Sequence, residues 1–490
     1  MIIKSRKLLY DSEGYINTKL IEKTIDEHYN EIKHFEMLED YYNGKHSILN
    51  RTKRVKSASN NKLVINHAKD IVDFFQGYVF SKPVTYYNLE EDILDCYTLI
   101  DEDSHNTEMS LSMGIYGKAY ELIYLDELDG RMIPQLVTLS PKDTFVVYDT
   151  SYKQKPMYGV TYFANRNIEG NIVNYTVMVY TEDMILTYET NGNTLRNSPL
   201  NLVDIEEHYF GQVPILRVVN NKMEQSDFEG VITLIDAYNK LQSDRINDKE
   251  QFVQALLIIV NASLGDTKEE RSETAKWIRQ EGMLELDSDG NAFYLNKQLN
   301  EQDVEILSTK ILKDIYRMAR VPNMSDENFA GNSSGIAMSY KLLGTDQVGT
   351  QKERQFKKLL RDRLSLIVKA NGILTGSNID LTKVDIHMDR NVPRDLDSSI
   401  KELQATEGIF PTKYRMSKFD PEADVEELMK ELMEEKLSNA KVMNEAYGNF
   451  NFPVENQPLN KATEEDKKIK EDTEEEDTED NKKLTDKATR

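Results

Sequence analysis

The sequence is poor in the residues that build covalent or metal scaffolds. Cys96 is its only cysteine, which excludes a disulfide framework and any cysteine-rich zinc centre. Long apolar runs are missing too: the longest, Ala255 to Val260, falls far short of the roughly 20 residues a membrane-spanning helix needs. The amino-terminal stretch MIIKSRKLLYDSEGY has no apolar core and no cleavage site, so the chain reads as intracellular and soluble. Basic excess is absent as well, since 61 Lys+Arg face 85 Asp+Glu for a formal charge of −24. Tight, charge-driven binding of nucleic acid normally shows as a basic domain or stripe; here both signs are spread along the chain. Hydrophobic residues make up only 39% and charged ones 30% of the 490 residues. That is lean for a compact monomer of two to four units, and predicts an elongated shape or long helices with charged faces.

Helical spacing opens the patterned part of the chain. Ile21, Ile25, His28, Ile32, Phe35, Leu38 and Tyr42 recur every three or four residues before Gly44. A basic, polar loop follows (Asn50, Arg51, Lys53, Arg54, Lys56, Asn60, Asn61), then a second helix from about Leu63 to Gly77, with Pro83 ending the helical pattern. From Tyr116 to Phe210 the period drops to two. AYELIYL, MIPQLVTL, TFVVYD, GVTYF, NIVNYTVMVY and MILTYE are rich in Val, Ile, Thr and Tyr, and Asp129-Gly130, Gly170-Asn171 and Asn191-Gly192 separate them as turns. Six strands joined this closely predict an antiparallel meander, because parallel pairing needs crossover helices.

The second half returns to helix. Ser226-Asp227-Phe228-Glu229 has capping-box spacing. The stripe behind it, Val231, Ile235 and Tyr238, resumes at Phe252, Leu256 and Val260 across an almost wholly polar middle, QSDRINDKEQ. A helix of about 33 residues would be about 50 Å long, and its polar middle predicts a solvated face or a subunit contact. A charged helix around Trp277, a hairpin at Asp289-Gly290 and a return helix from Asp303 to Arg320 complete a pair of helices with a small knob between them. Residues 321–335 read as a Gly-, Ser- and Asn-rich loop. The helical pattern from Ile336 to about Asn371 contains Gly344 and Gly349, which predict a kink. A strand, KVDIHMD, leads past Pro393 to three helical pieces, the third from Asp424 to Lys436. Beyond about Asn449 the chain is mostly Glu, Asp, Lys and Thr, the composition of a disordered tail.

Candidate chemistry is thin. Gly114-Ile115-Tyr116-Gly117-Lys118 partly resembles a phosphate loop, but Ala119 opens a strand where Ser or Thr should open a helix, so a glycine-permitted turn fits better. Asp287-Ser288-Asp289-Gly290-Asn291 places its glycine out of register for a calcium loop. Asp385, His387 and Asp389 alternate on one strand face and have the chemistry to hold a metal or move a proton. A surface strand with ion pairs is the simpler reading, because working sites draw on several elements. The paired helices carry Lys240, Asp244, Arg245, Asp248 and Lys249, then Lys310, Lys313, Asp314, Arg317 and Arg320. These fit a solvated face or contacts with neighbouring subunits or a charged ligand. No catalytic constellation survives, and nothing calls for a cofactor or a metal.

Order carries more than any motif. NNKLVINHAKDIVDFFQGYVFSKPVTY, GIYGKAYELIYLDE, SDFEGVITLIDAYNKLQSD and IYRMARVPNMSDENFAGNSSGIAMSYKL come in a sequence and spacing that resembles the portal proteins, or head-to-tail connectors, of tailed bacteriophages, of the type found in long-tailed phages of Gram-positive bacteria. The resemblance covers roughly residues 15 to 440. It implies an α+β subunit with a mixed wing of antiparallel strands and helices (1–228), a first stem helix (229–261), a small α/β clip (262–300) and a second stem helix (301–320). A tunnel loop (321–335), a kinked wing helix and strand (336–392), crown helices (393–448) and an acidic tail (449–490) would follow.

The resemblance further implies a homo-oligomeric ring of about twelve subunits at one capsid vertex of the virion, assembled in the host cytoplasm without a membrane partner. Double-stranded DNA would pass through it, driven by a separate terminase. Head-completion or adaptor proteins, the major capsid protein and scaffolding proteins would be its other partners. On this chain Asn323, Ser325, Asp326, Asn328, Asn332 and Ser333 would line the tunnel loop near DNA. Lys240, Arg245, Lys249, Lys310, Lys313 and Arg317 would give stem contacts to DNA or between subunits, and Trp277 and Arg279 would offer a docking point on the clip. An acidic lumen suits sliding DNA, since many phosphate contacts would hold it. Two other classes stand beside this reading: a metal-dependent hydrolase built on Asp385, His387 and Asp389, and an elongated non-viral scaffold.

Overall fold

The computed structural model describes residues 1–10, 16–53, 59–128, 131–253, 256–260, 265–281, 290–295, 301–323, 335–375, 380–391, 396–406, 408–419 and 425–447. The chain divides into two compact units, Met1–Pro393 and Arg394–Arg490.

In the first unit, helix α1 (Thr18–Tyr42) buries Ile21, Ile25, His28, Phe35 and Leu38 of the stripe the spacing predicts, leaves Ile32 and Tyr42 half-buried, and buries Leu20 besides. It ends beside Gly44, whose φ of +79° is open to glycine at little strain. Helix α2 begins at His67, not Leu63, and runs to Val79; Asn66 caps it by accepting a bond from the Lys69 amide at 3.1 Å. Two further helices follow, α3 (Glu91–Leu99) and α4 (Glu102–Tyr116). Helix α4 buries Glu102, His105, Asn106 and Ser110 among its apolar residues, so it carries no clean hydrophobic period to find.

All six segments with period two are strands, but they do not make one meander. The segments that begin it, β3 (Lys118–Leu128) and β4 (Arg131–Leu139), pair with each other and with β10 (Ile215–Val219) in a three-stranded sheet. The rest, β5 (Thr144–Asp149), β6 (Pro156–Arg166), β7 (Ile172–Tyr180) and β8 (Met184–Thr190), continue into β9 (Leu200–Glu207). That second sheet gains a sixth strand from the amino terminus: β1 (Ile2–Lys4) pairs in parallel with β5. The crossover such a pair requires is supplied by α1 and everything after it, so parallel pairing enters from far away in sequence. Helix α1 covers one face of this sheet, packing Leu20, Ile21 and Ile25 on Val147, Tyr158, Val160 and Val177. The other face meets the three-stranded sheet through Tyr120, Leu122, Val146, Tyr180 and Ile215. At that junction Gly159 lies so near Ile215 that a Cβ would come within 2.9 Å of its side chain.

Helix α5 (Ile232–Val253) and helix α7 (Glu301–Ala319) are the two long helices expected around a small insert, and they pack on one another. The first is shorter than its pattern predicts. Leu256–Val260 forms strand β11, antiparallel to β12 (Asn291–Leu295), because LLIIV is apolar and β-branched enough to prefer a pleated pairing to another helical turn. Helix α6 (Lys268–Glu281) lies between those strands in sequence; the other arm of the expected hairpin at Asp289 lies outside the described residues. Helix α8 (Gly335–Thr375) runs for 41 residues, with Gly344 and Gly349 inside it. Gly349 serves packing: a Cβ there would meet Val79 at 3.2 Å and Tyr78 at 3.5 Å. Strand β13 (Asp385–His387) pairs with β2 (Thr85–Tyr87). One core gathers these helices, joining Ile71 and Phe75 to Met109 and Met113, Ile235, Ile315, Phe356, Leu360 and Leu364.

The second unit holds α9 (Leu396–Ala405), α10 (Thr412–Phe419) and α11 (Val425–Tyr447), the three helical pieces expected. Arg415 donates to the Leu403 carbonyl at 2.7 Å, and the Phe410 and Tyr414 rings lie 5.3 Å apart. The acidic stretch after 447 lies outside the described residues.

Candidate functional site

The polar middle of α5 has a solvated side, with Ile246, Lys249 and Glu250 exposed, and a buried one that the composition does not show. Asn239, Ser243 and Asn247, one helical stripe at four-residue spacing, are all buried and accept hydrogen bonds from every second amide of the segment before α2. Ile65 N donates to Asn239 Oδ1 at 2.9 Å, Leu63 N to Ser243 Oγ at 2.9 Å and Asn61 N to Asn247 Oδ1 at 2.7 Å. Residues 61–65 are therefore extended and clasped to the helix, which is why α2 starts four residues later than its apolar pattern predicts. Asn239 also donates to His46 at 2.8 Å, and Arg51 pairs with Asp244. A buried polar stripe of this kind specifies one register, because each misplaced group would go unbonded.

The charges singled out on the paired helices divide into two sets. Arg245 is shared by Glu301 at 3.0 Å and Glu305 at 2.7 Å, and Lys249 reaches Glu301 at 3.3 Å, so these two stitch α5 to α7 within the subunit. Arg317 pairs one turn away with Asp314 at 2.9 Å. Lys240, Lys310 and Lys313 are exposed and have no ion pair among the described residues. Apolar side chains stand exposed beside them on α7, with Ile306 67% and Met318 59% accessible.

Three buried anchors hold the first turns of α5 and the length of α8, and sequence reasoning singled out none of them. At the end of α7, Arg320 adopts φ of +60° and its carbonyl accepts a bond from Thr345 Oγ1 at 2.6 Å, while Val321 N returns to Tyr316 O. Further along α8, Lys352 meets Asp227 at 2.6 Å and Asn220 at 2.6 Å, just ahead of α5. Deeper still, the fully buried Arg363 donates to Glu121 on β3 and, at 2.6 Å, to Glu102 on α4. Tyr86 and Asn106 also donate to Glu102, and His105 Nε2 to Glu121 at 2.9 Å. Burial alone would push the Glu121 carboxyl up, but the Arg363 charge and the hydrogen bonds from His105 and Arg363 hold it down at about 2. The sequence signal was faint: a lone Lys or Arg on the apolar side of a long helix.

Of the loop residues, Asn323 lies at the start of the unassigned stretch and is partly buried, whereas Ser325, Asp326, Asn328, Asn332 and Ser333 lie outside the described residues. Trp277 is 43% accessible on α6; Arg279 is on the same helix, two residues on. The candidate metal triad is a surface feature. His387 Nε2 lies 3.2 Å from Asp389 Oδ1 with its ring half exposed, Asp385 is exposed at the start of β13, and no group of three ligating side chains among the described residues could hold a metal ion. The glycine pair near Lys118 is a helix end: Gly117 closes α4 with φ of +77°. Lys118 is buried between Glu31 at 2.8 Å and Glu224 at 3.5 Å, over the Phe35 ring, so it has no freedom to cradle a phosphate. No described helix is long and apolar enough to cross a membrane.

The portal protein of Clostridium phage phiCD119 is 24% identical over 435 residues, covering 84% of this chain and 94% of that one. The portal protein of Bacillus phage SPP1 is 22% identical over 384 residues, covering 74% and 73%. A solved structure described as the neck of an empty GTA particle computed with C6 symmetry aligns with a TM-score of 0.40 at 10% identity, covering 72% of this chain and 88% of that one. The phage portal protein family, SPP1 Gp6-like, matches residues 21–442, which take in the three-stranded sheet, the six-stranded sheet apart from β1, the paired helices, α8 and the second unit's described helices as far as 442; the chain belongs to that family and is a phage portal protein.

Proposed function

We propose that about twelve copies close into a ring at one capsid vertex of the virion and that double-stranded DNA passes through its centre in both packaging and ejection. The family match over residues 21–442 carries this reading. In support stands the layout around α5 and α7: two long helices joined through a small insert, with exposed lysines and apolar residues that a lone subunit leaves uncovered. Lys240, Lys310 and Lys313 would meet phosphates weakly, as a conduit requires. Arg245 and Lys249, already engaged by Glu301 and Glu305, would stiffen the helix pair, and Arg317 would serve with its neighbour Asp314. The loop 321–335, with Asn323, Ser325, Asp326, Asn328, Asn332 and Ser333, would border the DNA path, while Trp277 and Arg279 would dock first the terminase and then a head-completion protein. Residues 229–261 and 301–320 would be the stem, 262–300 the clip and 393–448 the crown. Assembly would take place in the host cytoplasm around capsid and scaffolding proteins.

Negative-stain electron microscopy with mass from light scattering tests the ring. A particle of about a dozen subunits with a central hole is the expected result; a monodisperse monomer across buffers and concentrations would sink it.

A further inference from the structure

Two neighbouring stretches of the chain each carry charge of one sign. Residues 45–69 contain seven Lys and Arg and no Asp or Glu, whereas residues 83–117 contain eight Asp and Glu and no Lys or Arg. In a chain of net charge −24 the first of these is the exception.

Arg54 and Lys56 lie outside the described residues; among the described ones the two stretches do not neutralise each other. Lys45 and Arg51 are taken by Asp40 and Asp244. Lys53 and Lys62 donate to backbone carbonyls of their own loop, Ser59 O and Leu49 O, and the Lys69 ammonium lies over the Tyr42 ring; none of the three has a carboxylate partner among the described residues. The nearby acids are engaged elsewhere: Asp236 by Tyr41, Asp73 by Tyr42 and Asp70 by Tyr316. On the other stretch only Glu102 is buried and paired, with Arg363. Glu90, Glu91, Asp92, Asp95, Asp103 and Glu108 are exposed on α3 and α4 and have no ion pair with a cation among the described residues.

We propose that the basic stretch docks on the acidic α3–α4 surface of the neighbouring copy. This rests on the ring reading above and names its contact. A closed ring of identical subunits needs two different, complementary patches on each one. Opposite patches left unpaired in cis meet that need, and like patches would repel a wrong, face-to-face pairing. The clasp on α5 fixes residues 61–65, so the basic side chains are presented from a held backbone. DNA is the weaker occupant, because it leaves the acidic surface uncovered and exposed to the same polyanion.

Charge reversal tests it in the full chain. Lys62→Glu with Lys69→Glu reverses the basic side, and position 69, three residues after the Asn66 cap, favours an acid. Glu91→Lys with Asp95→Lys reverses the other side and keeps its i,i+4 like-charge spacing. Ring fraction is read by mass photometry at 50–500 mM salt, a range over which screening changes severalfold, with thermal melts confirming that each variant is folded. Each pair alone should raise the concentration of half-assembly about tenfold or more at low salt, and the four changes together should restore it towards wild type. Assembly of both two-residue variants as wild type, or a four-residue variant no better than the worse pair, would overturn the proposal while wild-type rings still stood. Rings of the Lys62→Glu/Lys69→Glu variant that assemble normally but lose retention of DNA would assign the stretch to nucleic acid and overturn it too. A wild type that never forms rings would remove the ring reading itself.

Discussion

The ammonium of Lys352 lies 2.6 Å from Asp227 Oδ1, with both side chains almost wholly withdrawn from water. One belongs to the middle of the 41-residue helix α8, the other to the cap region just before α5. Asp227 also accepts from Asn220, and its own amide donates to Gly114 O. A single buried pair thus ties the helix that follows the candidate loop to the start of the first paired helix and to the end of α4.

Breaking that pair from one side should be severe. Lys352→Met leaves the Asp227 carboxylate buried and unpaired, at a loss of about 3–5 kcal/mol. Adding Asp227→Asn removes the orphaned charge and should recover a large part of it. Urea denaturation of the two single variants and the double variant measures the coupling; additive losses would show that the two groups act independently.

Acid should attack the Arg363 cluster late. The Glu121 carboxyl titrates at about 2 in the folded chain against 4.5 for an ordinary glutamate, so below 4.5 the unfolded chain takes up the proton first. Its contribution, on the order of 3 kcal/mol, is present above 4.5 and is lost as pH falls towards 2. Glu121→Gln should flatten the stability profile between those values while lowering it at neutral pH.

His28 behaves in the same sense at higher pH. Its imidazole is buried against Phe145, Nε2 donates to the Pro141 carbonyl at 2.9 Å, and Nδ1 lies 2.9 Å from the Tyr162 hydroxyl oxygen. Burial lowers its pKa from 6.5 to about 4. The unfolded chain therefore binds a proton between 6.5 and 4 while the folded one does not. Stability present above 6.5 should decline by about 3 kcal/mol across that window. Denaturant midpoints from pH 7 to pH 4 check this, and His28→Gln should remove that part of the slope.

Gly117→Ala is predicted to be poorly tolerated. At φ of +77° an added Cβ would come within 2.2 Å of the Glu224 carbonyl oxygen, a backbone atom that cannot swing aside. A loss of more than about 2 kcal/mol is expected, visible as reduced soluble yield and a lower melting temperature, whereas alanine at the open Gly230 should have little effect.

The lysines of α7 and the arginine of α5 should separate in a packaging assay. Lys310→Gln with Lys313→Gln leaves no internal partner unpaired and should change the salt dependence of DNA movement through assembled rings. Arg245→Gln removes a bond to Glu301 and Glu305 and should leave that salt dependence as it was. Equal effects from both would contradict the division of roles.

Much of the fold was legible because its period is local. The α1 stripe and the six strands of Val, Ile, Thr and Tyr appear where the spacing puts them. What was not legible depends on partners distant in sequence: β1 joining β5, the split into two sheets, and α4 with its buried Glu102, His105 and Asn106. The buried stripe in the polar middle of α5 was missed for the same reason, since a polar stripe facing backbone amides has the same composition as one facing water. The candidate site divides similarly. Charge spacing showed that Arg245 and Lys249 could pair but not with whom, and the opposed stretches at 45–69 and 83–117 are invisible to any whole-chain charge.

The clasp between α5 and residues 61–65 works as a vernier. Four residues of helix advance about 6.0 Å and turn about 40° past a full revolution, while two residues of extended chain advance about 6.6 Å. The two scales drift by about 0.6 Å per rung, and the helical stripe winds away as the strand runs on. Three rungs centred on Ser243 keep every bond between 2.7 and 2.9 Å; a fourth would accumulate twice the offset on one side. The graduation is thus finite by geometry: the segment can be seated in one place only, and its length along the helix is set without any stop residue.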